Sequence, residues 1–111
     1  WVETVAAIRN RCPEIKVEAL IPDFQGNTGL IRQGCEARPD VLAHNLETGE
    51  SLQRQVRPQC RYEWSLRTLQ TAAKTGGVIV KSGLMLGLGE KRQEVVQAMS
   101  DLVDAGGEFD Y

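Results

Sequence analysis

The stretch from Gly83 to Glu90 reads Gly-Leu-Met-Leu-Gly-Leu-Gly-Glu and is the most unusual in the sequence. Glycines this close together weaken a strand and indicate that another group approaches the backbone. Gly87 and Gly89 precede a helical pattern, which suits an anion at a helix N-terminus. Arg92 occupies the position of the third glycine of a dinucleotide-binding motif. The stretch matches neither that motif nor a phosphate-binding P-loop, so the glycines alone name no ligand.

Polar residues also lie at the end of a predicted strand that covers Val41 to Leu46. Side chains alternate between the two faces of a strand, which places Asn45 and Glu47 on one face and His44 on the other. An amide and a carboxylate two residues apart could hold a diol such as a ribose. The alternative, that Glu47 and Thr48 only cap the next helix, is equally open. The two faces consist of Val41, Ala43, Asn45 and Glu47, and of Leu42, His44 and Leu46.

Two further residues of catalytic type have simpler explanations. His44 shares its face with large aliphatic residues, so we expect a buried imidazole with satisfied hydrogen bonds rather than a catalyst. Lys81 lies inside a predicted strand and could form an imine with a carbonyl substrate. An ion pair at the strand end explains Lys81 more simply.

The cysteines indicate neither a disulfide framework nor a metal site. The chain has three cysteines, an odd number, at the widely spaced positions Cys12, Cys35 and Cys60. With a single histidine and no C-x-x-C pair, a zinc site is improbable. We expect three free thiols that pack as small hydrophobic groups in a reducing compartment.

The elements that position these residues alternate between helices and strands. Such alternation predicts an α/β fold with a parallel sheet and right-handed crossovers, either an open doubly wound sheet or an arc of a β/α barrel. In both, ligands bind at the carboxyl ends of the strands. We expect helices from near Trp1 to Cys12, from Thr28 to Glu36, from an N-cap at Thr48 to Arg57, from Tyr62 to Lys74 and from Glu90 to Gly106, and strands at Val17–Ile21, Val41–Leu46, from Val78 towards Leu86 and from Phe109.

Composition limits the class of protein. The chain has 111 residues, a formal net charge of −2 and 41% hydrophobic residues, which suits one folded domain or part of one. The balanced charge predicts no nucleic-acid partner and no membrane surface, and no apolar run is long enough to span a bilayer. We therefore expect a soluble protein. The sequence shows no signal peptide and no initiator Met, so we expect an interior piece of a longer chain.

Several blocks, in order along nearly the whole chain, resemble the lipoyl synthase family of radical S-adenosylmethionine enzymes. The His-Asn-Leu-Glu-Thr and Lys-Ser-Gly-Leu-Met-Leu-Gly-Leu-Gly-Glu blocks are specific to that family. The matching blocks are Ile21 to Phe24 with Gly26, Pro39 to Val41, His44 to Thr48, Val56 to Pro58, Tyr62, Ser65-Leu66 and Lys81 to Glu90.

The resemblance implies a fold: an arc of a partial parallel β/α barrel of the TIM-like, radical SAM type, with about three complete βα units. Residues 1–111 would form the central part of the radical SAM core, with both ends truncated. A closed β/α barrel takes roughly 250 residues, so this length corresponds to the middle of such a domain.

The resemblance also implies a cofactor site. Gly83, Met85, Gly87 and Glu90 fit the G-x-I-x-G-x-x-E pattern of the superfamily, in which this strand lies beside the adenosine. Met85 would contact the adenine. Arg57 would bind the cofactor carboxylate, with a helix-terminal ion pair as the alternative. The residues expected to bind the cofactor are Asn45 and Glu47, at its ribose or amino-acid end, together with Arg57, Ser82, Met85 and Gly87.

The implied activity is the insertion of two sulfur atoms into a protein-bound octanoyl group. It requires S-adenosylmethionine, cleaved to a 5′-deoxyadenosyl radical, and two 4Fe–4S clusters. No cysteine here has the position or spacing of a cluster ligand; both cysteine triplets would lie before Trp1 and a serine ligand after Tyr111. The chain alone should therefore catalyse nothing.

The implied partner is an octanoylated lipoyl-carrier protein domain, and the implied location is a bacterial-type cytoplasm or an organelle. A cluster-free β/α scaffold or binding domain without catalysis is the alternative reading of the same sequence.

Overall fold

Helices and strands alternate along the chain in the computed structural model, which describes residues 1–106 and the backbone of 108–109. All strand pairings are parallel, and the sheet order β1-β2-β3-β4 follows the chain. Chain-order neighbours joined by helices are the arrangement of a β/α barrel arc, so the predicted fold class is confirmed. The strands are β1 (Glu18–Leu20), β2 (Val41–Ala43), β3 (Ile79–Ser82) and β4 (Glu108–Phe109); the helices are α1 (Val2–Arg11), α2 (Thr28–Glu36), α3 (Gln53–Val56), α4 (Tyr62–Thr75) and α5 (Arg92–Asp104), with 3-10 turns at Phe24–Gly26 and Glu50–Leu52.

Helices α2 and α4 begin at the predicted residues, and α2 is capped by a side chain. Helix α2 has the predicted bounds, and the Asn27 side chain accepts a hydrogen bond from the Leu30 N–H at 3.2 Å. The prediction that Thr48 is an N-cap is wrong. Gly49 precedes the 3-10 turn that leads into α3, without a side-chain cap.

Helix α5 and the strands β2 and β3 begin or end at residues other than those predicted. Helix α5 begins at Arg92 rather than Glu90, because the Glu90 carboxylate bonds to the loop before the helix. Strands β2 and β3 end at Ala43 and Ser82, earlier than predicted, and only an isolated bridge between Glu47 and Leu84 follows them. The start of a fourth strand is confirmed as β4, while positions 110 and 111 lie outside the described residues.

The two faces of the sheet have different surroundings. Leu42 and Val80 point to the helix-covered face and join Ile31, Leu69 and Leu102 in the hydrophobic core. This confirms the predicted placement of the large aliphatic residues on that face.

On the opposite face, Leu20 of β1 is 67% exposed. Lys81 reaches across Ala43 to Glu18, with 3.2 Å from its Nζ to each carboxylate oxygen. The ion pair predicted for Lys81 is therefore confirmed.

The cysteines are free thiols in different environments. Cys35 is buried, and burial raises the pKa of its thiol. Cys12 is exposed, so the prediction that it packs as a hydrophobic group is wrong. Among the described residues, no helix is both long and apolar enough to cross a bilayer.

Candidate functional site

The backbone after β2 makes a strained turn centred on Glu47. The Glu47 φ angle is 70°, in the left-handed region that favours glycine, and the Thr48 N–H donates to the Leu46 carbonyl at 2.9 Å. A three-residue turn whose central residue has a positive φ is rare and costs about 1–3 kcal/mol. Strain of this kind persists only where the surrounding structure imposes it, and it is often found at binding sites.

Two hydrogen bonds join this turn to the segment after β3. The Glu47 N–H donates to the Gly83 carbonyl at 3.0 Å, and the Met85 N–H donates to the Glu47 carbonyl at 2.7 Å. The carboxyl ends of β2 and β3 therefore continue side by side beyond the sheet. This brings Glu47 and Met85, two of the predicted site residues, together.

Buried side chains hold the turn from behind. The Leu46 carbonyl accepts further hydrogen bonds from Gln53 Nε2 at 2.9 Å and Arg57 Nη1 at 3.0 Å. Gln53 also donates to the Thr48 carbonyl at 2.8 Å. Both carbonyls that flank Glu47 are thus fixed. Sequence reasoning missed Gln53, because a single glutamine in a short helix carries no distinguishing pattern.

Arg57 and Ser82 contact the protein itself. Arg57 Nη1 donates to Ser65 Oγ at 3.1 Å as well as to the Leu46 carbonyl, and it lies 3.4 Å from Gln53 Oε1. Ser82 is 2% exposed, and its hydroxyl accepts a hydrogen bond from the Leu46 N–H at 3.1 Å. The structure therefore places both residues behind the turn, against its backbone.

The side chains of Asn45 and Glu47 are free to bind a ligand. Both residues are half-buried, and neither side chain forms a hydrogen bond or ion pair within residues 1–106. Asn45 Oδ1 lies against Gly83, where an added Cβ would be only 3.2 Å from it. The absence of a side chain at Gly83 is what makes room for the Asn45 amide.

The glycine-rich loop from Gly83 to Glu90 presents apolar side chains to solvent. Met85 is 43% and Leu86 69% exposed. Gly87 has a φ of 88° and nothing within 4 Å of an added Cβ. Its backbone is therefore open on the side that a Cβ would occupy.

The amides of the glycine-rich loop bond to a carboxylate of the loop itself, that of Glu90. The Glu90 carboxylate accepts hydrogen bonds from the Gly87 N–H at 2.6 Å and the Leu88 N–H at 2.8 Å. These backbone donors, that of Gly87 foremost, lower the pKa of the carboxyl group. Glu90 thus shapes the loop rather than opening helix α5.

His44 is the buried imidazole that the sequence predicts. It is 2% exposed; its Nδ1 is 2.8 Å from the Ile21 carbonyl and its Nε2 is 2.8 Å from Ser65 Oγ. Burial lowers its pKa, so the ring is neutral at pH 7. Sequence reasoning did not single out Ser65 as its partner.

Together these elements form an open edge with one free amide, one free carboxylate and exposed apolar side chains beside them. This donor and acceptor set suits a ligand that carries both hydroxyl groups and an apolar ring. Among the described residues, no group of three or more His, Cys, Asp or Glu is placed to hold a metal ion.

Two comparisons with known proteins agree: one with a family profile and one with individual proteins. Residues 1–102 match the profile of the Radical SAM superfamily. The chain is 50% identical over 105 residues to a mitochondrial lipoyl synthase from Nematostella vectensis, which covers 95% of this chain and 36% of that protein. It is 49% identical to a lipoyl synthase from Christiangramia forsetii, over 96% of this chain and 36% of that protein. It is 51% identical to one from Nocardioides sp., over 98% of this chain and 34% of that protein. The chain therefore spans about a third of the length of these relatives.

Proposed function

The chain belongs to the Radical SAM superfamily, and from that premise we propose that it forms the S-adenosylmethionine cradle of a lipoyl synthase. The proposed reaction of the complete gene product is the insertion of two sulfur atoms into an octanoyl group on a lipoyl-carrier protein domain. The observation that carries the proposal is the pair of free side chains, Asn45 and Glu47, beside an open glycine loop. The matches to proteins named lipoyl synthase cover 95% and 96% of this chain.

In this proposal the residues of the turn bind the polar part of the cofactor. The Glu47 carboxylate accepts hydrogen bonds from the ribose hydroxyls or from the amino group of the cofactor. The Asn45 amide can both donate and accept beside it. Because the turn is fixed before the ligand arrives, little entropy is lost when these two groups engage.

The glycine loop then covers the apolar part. Met85 packs against the adenine, which removes exposed apolar surface from water. Gly87 leaves its backbone open to close approach. Arg57 and Ser82 act from behind by fixing Leu46, the residue between Asn45 and Glu47.

S-adenosylmethionine, bound beside a reduced 4Fe–4S cluster, supplies the hydrogen-abstracting chemistry of this superfamily. The described residues offer no site for a cluster. In the proposal both clusters, and contact with the carrier domain, belong to parts of the gene product outside this chain, and the chain alone is inactive. We propose a cytoplasmic location of the bacterial type, with an organelle as the alternative, since the relatives include both bacterial and mitochondrial proteins.

The other candidate functions lack a supporting observation. An imine-forming lysine must be unprotonated to attack a carbonyl, whereas the ammonium of Lys81 is paired with Glu18. A scaffold without catalysis gives no reason for a strained turn that presents an unpaired carboxylate.

The first test reads the coding sequence on both sides of the chain. We expect a Cys-x-x-x-Cys-x-x-Cys triplet upstream, with another cysteine triplet before it. A start codon directly before Trp1 would contradict the proposal.

The second test assays the complete gene product after anaerobic loading with iron and sulfide. We expect 5′-deoxyadenosine and a lipoylated carrier domain as products. Asn45→Ala and Glu47→Ala should each lower 5′-deoxyadenosine formation, about 10- to 100-fold at subsaturating cofactor. The matched controls are Gln33→Ala and Glu36→Ala on exposed positions of α2, which should leave the rate unchanged. Equal rates for site and control variants would reject the assignment of Asn45 and Glu47.

A further inference from the structure

A continuous series of hydrogen bonds runs behind the turn, and the chemistry of its end groups fixes its direction. The Ile21 carbonyl can only accept, so His44 Nδ1 carries the hydrogen of that 2.8 Å contact. In a neutral ring Nε2 then has no hydrogen, and the Ser65 hydroxyl donates to it at 2.8 Å. Ser65 Oγ in turn accepts from Arg57 Nη1 at 3.1 Å.

Arg57 connects this series to the proposed site. The same Nη1 that donates to Ser65 also donates to the Leu46 carbonyl at 3.0 Å. Leu46 is the residue before Glu47, and its carbonyl is the acceptor of the strained turn. Ser65 therefore links the His44 ring to the guanidinium that bonds to the Leu46 carbonyl beside Glu47.

Burial makes the series sensitive to each of its members. Ser65 is 0% exposed and His44 2% exposed, so water cannot replace a lost partner freely. A buried polar group that loses its partner destabilises the folded state, so each hydrogen bond of the series matters.

We propose that His44 is a positioning residue: its neutral ring, with the hydrogen on Nδ1, orients Ser65 and through it Arg57, and so holds the turn that presents Glu47. The inference rests on the proposed function for its effect on the cofactor, while the series of hydrogen bonds itself can be tested separately.

The proposal gives a pH dependence whose sign follows from the charges around His44. Burial lowers the pKa of the ring, and the positive charge of Arg57 acts in the same direction. The Ile21 carbonyl and the negative charges of Asp23 and Glu47 act in the opposite direction.

Protonation places a hydrogen on Nε2, so the Ser65 hydroxyl can no longer donate there, and it brings a second cation beside Arg57. Because the pKa of the native ring lies below its ordinary value, the neutral ring persists throughout the neutral range. Cofactor affinity should fall only as the pH drops through that lowered pKa.

The direct test is nitrogen NMR of the imidazole in the complete gene product, with His44→Gln used to assign the signals of His44. We expect a hydrogen on Nδ1 and none on Nε2 at pH 7. Ser65→Ala should shift the Nε2 signal and the backbone amide signals of Glu47 and Thr48. The matched control, Thr71→Ala, removes another hydroxyl from a buried position of α4 and should shift neither. A hydrogen on Nε2, or unchanged turn amides in Ser65→Ala, would overturn the proposal.

The second measurement is the dissociation constant of S-adenosylmethionine as a function of pH. Ser65→Ala should raise it about 10-fold at pH 7.5, the equivalent of one net hydrogen bond. His44→Gln, whose amide oxygen can accept from Ser65, should bind more tightly than His44→Leu and lose the acid limb of the profile. If Ser65→Ala and His44→Leu bind S-adenosylmethionine with wild-type affinity and the pH dependence of binding is unchanged, the positioning role is refuted. If the wild-type protein binds no S-adenosylmethionine, the proposed function fails, and the NMR result still decides for or against the hydrogen-bond series.

Discussion

The turn around Glu47 and the glycine loop from Gly83 to Glu90 are neighbours joined by two backbone hydrogen bonds, yet the protein holds them in opposite ways. The Leu46 carbonyl of the turn accepts from three donors, those of Thr48, Gln53 and Arg57. Most of the glycine loop is exposed, and its own Glu90 carboxylate ties it together.

The difference indicates a division of roles between the two regions. A strained turn with fixed carbonyls presents polar groups at defined positions, as hydrogen bonds to a ligand require. A loop with exposed Met85 and Leu86 can adjust to an apolar surface, which needs contact area rather than direction. We therefore expect substitutions near the turn to have large effects on binding, and substitutions in the loop to have small ones.

Among substitutions that leave Asn45 and Glu47 in place, the largest effect is expected from Arg57→Ala. It removes the donor that joins Leu46 to Ser65, at a part-buried site. We expect a loss of about 1–3 kcal/mol in the free energy of unfolding and a rise of at least 10-fold in the dissociation constant of S-adenosylmethionine. Urea unfolding and isothermal titration of the complete gene product measure the two quantities.

Arg54→Ala is the control for that change, since Arg54 is an exposed arginine of α3, the helix that ends just before Arg57. It should change neither quantity. If the two arginine variants behave alike, Arg57 does not support the turn.

The second effect tests the boundary between the two regions. Gly83→Ala places a Cβ 3.2 Å from Asn45 Oδ1 and so displaces the amide. We expect about a 5-fold weaker affinity for S-adenosylmethionine, less than the loss of a whole hydrogen bond because the amide can shift by a fraction of an ångström. Asn45→Ser shortens the side chain that the added Cβ would meet. If the clash is the cause, Gly83→Ala should weaken the affinity of the wild-type protein but not that of the Asn45→Ser variant. Wild-type affinity in Gly83→Ala would place Asn45 away from the ligand.

The third effect lies wholly within the loop. Gly87→Ala meets no neighbouring atom, but its φ of 88° strains any residue with a Cβ. We expect a local cost of about 1–2 kcal/mol, visible as faster amide hydrogen exchange from Met85 to Gly89, with less than a 3-fold change in affinity. A larger loss of affinity than that of Gly83→Ala would reverse the proposed division of roles.

The smallest effect is expected from the Glu90 carboxylate. Its pKa is lowered by the Gly87 N–H first, and then by other backbone donors of the loop, so its bonds are complete above the ordinary carboxyl range and are lost as the pH falls through the lowered pKa. Glu90→Gln should reproduce the low-pH loop at pH 7, with faster hydrogen exchange at Gly87 and Leu88 only. Unchanged exchange at those two amides would contradict the loop geometry.

The sequence predicts those features that depend on local pattern. The alternation of elements, the bounds of α2 and the burial of His44 all follow from periodicity and capping. The strained turn does not follow from local pattern, because the positive φ at Glu47 depends on hydrogen bonds that Gln53 and Arg57 donate to the neighbouring Leu46 carbonyl.

The predicted helix starts at Thr48 and Glu90 are wrong for the same reason: the neighbouring loop overrides the preference of the residue type. Thr48 has the residue type of an N-cap, yet the turn at Glu47 precedes it and its hydroxyl is buried without a partner in the described residues. Glu90 has the residue type of a first helical turn, yet the Gly87 and Leu88 amides compete for its carboxylate. Partners such as Ser65, 21 residues from His44, emerge only when the chain folds.

The proposed binding of S-adenosylmethionine by Asn45 and Glu47 can be measured through the dissociation constants of the wild-type protein, Asn45→Ala, Glu47→Ala and the double variant. The free amide and carboxylate on a fixed turn predict a rise of about 10- to 100-fold for each single variant. They also predict a double variant weaker than either single variant but less than fully additive, since both groups contact one ligand. Dissociation constants equal to that of the wild-type protein in all three variants would contradict the account.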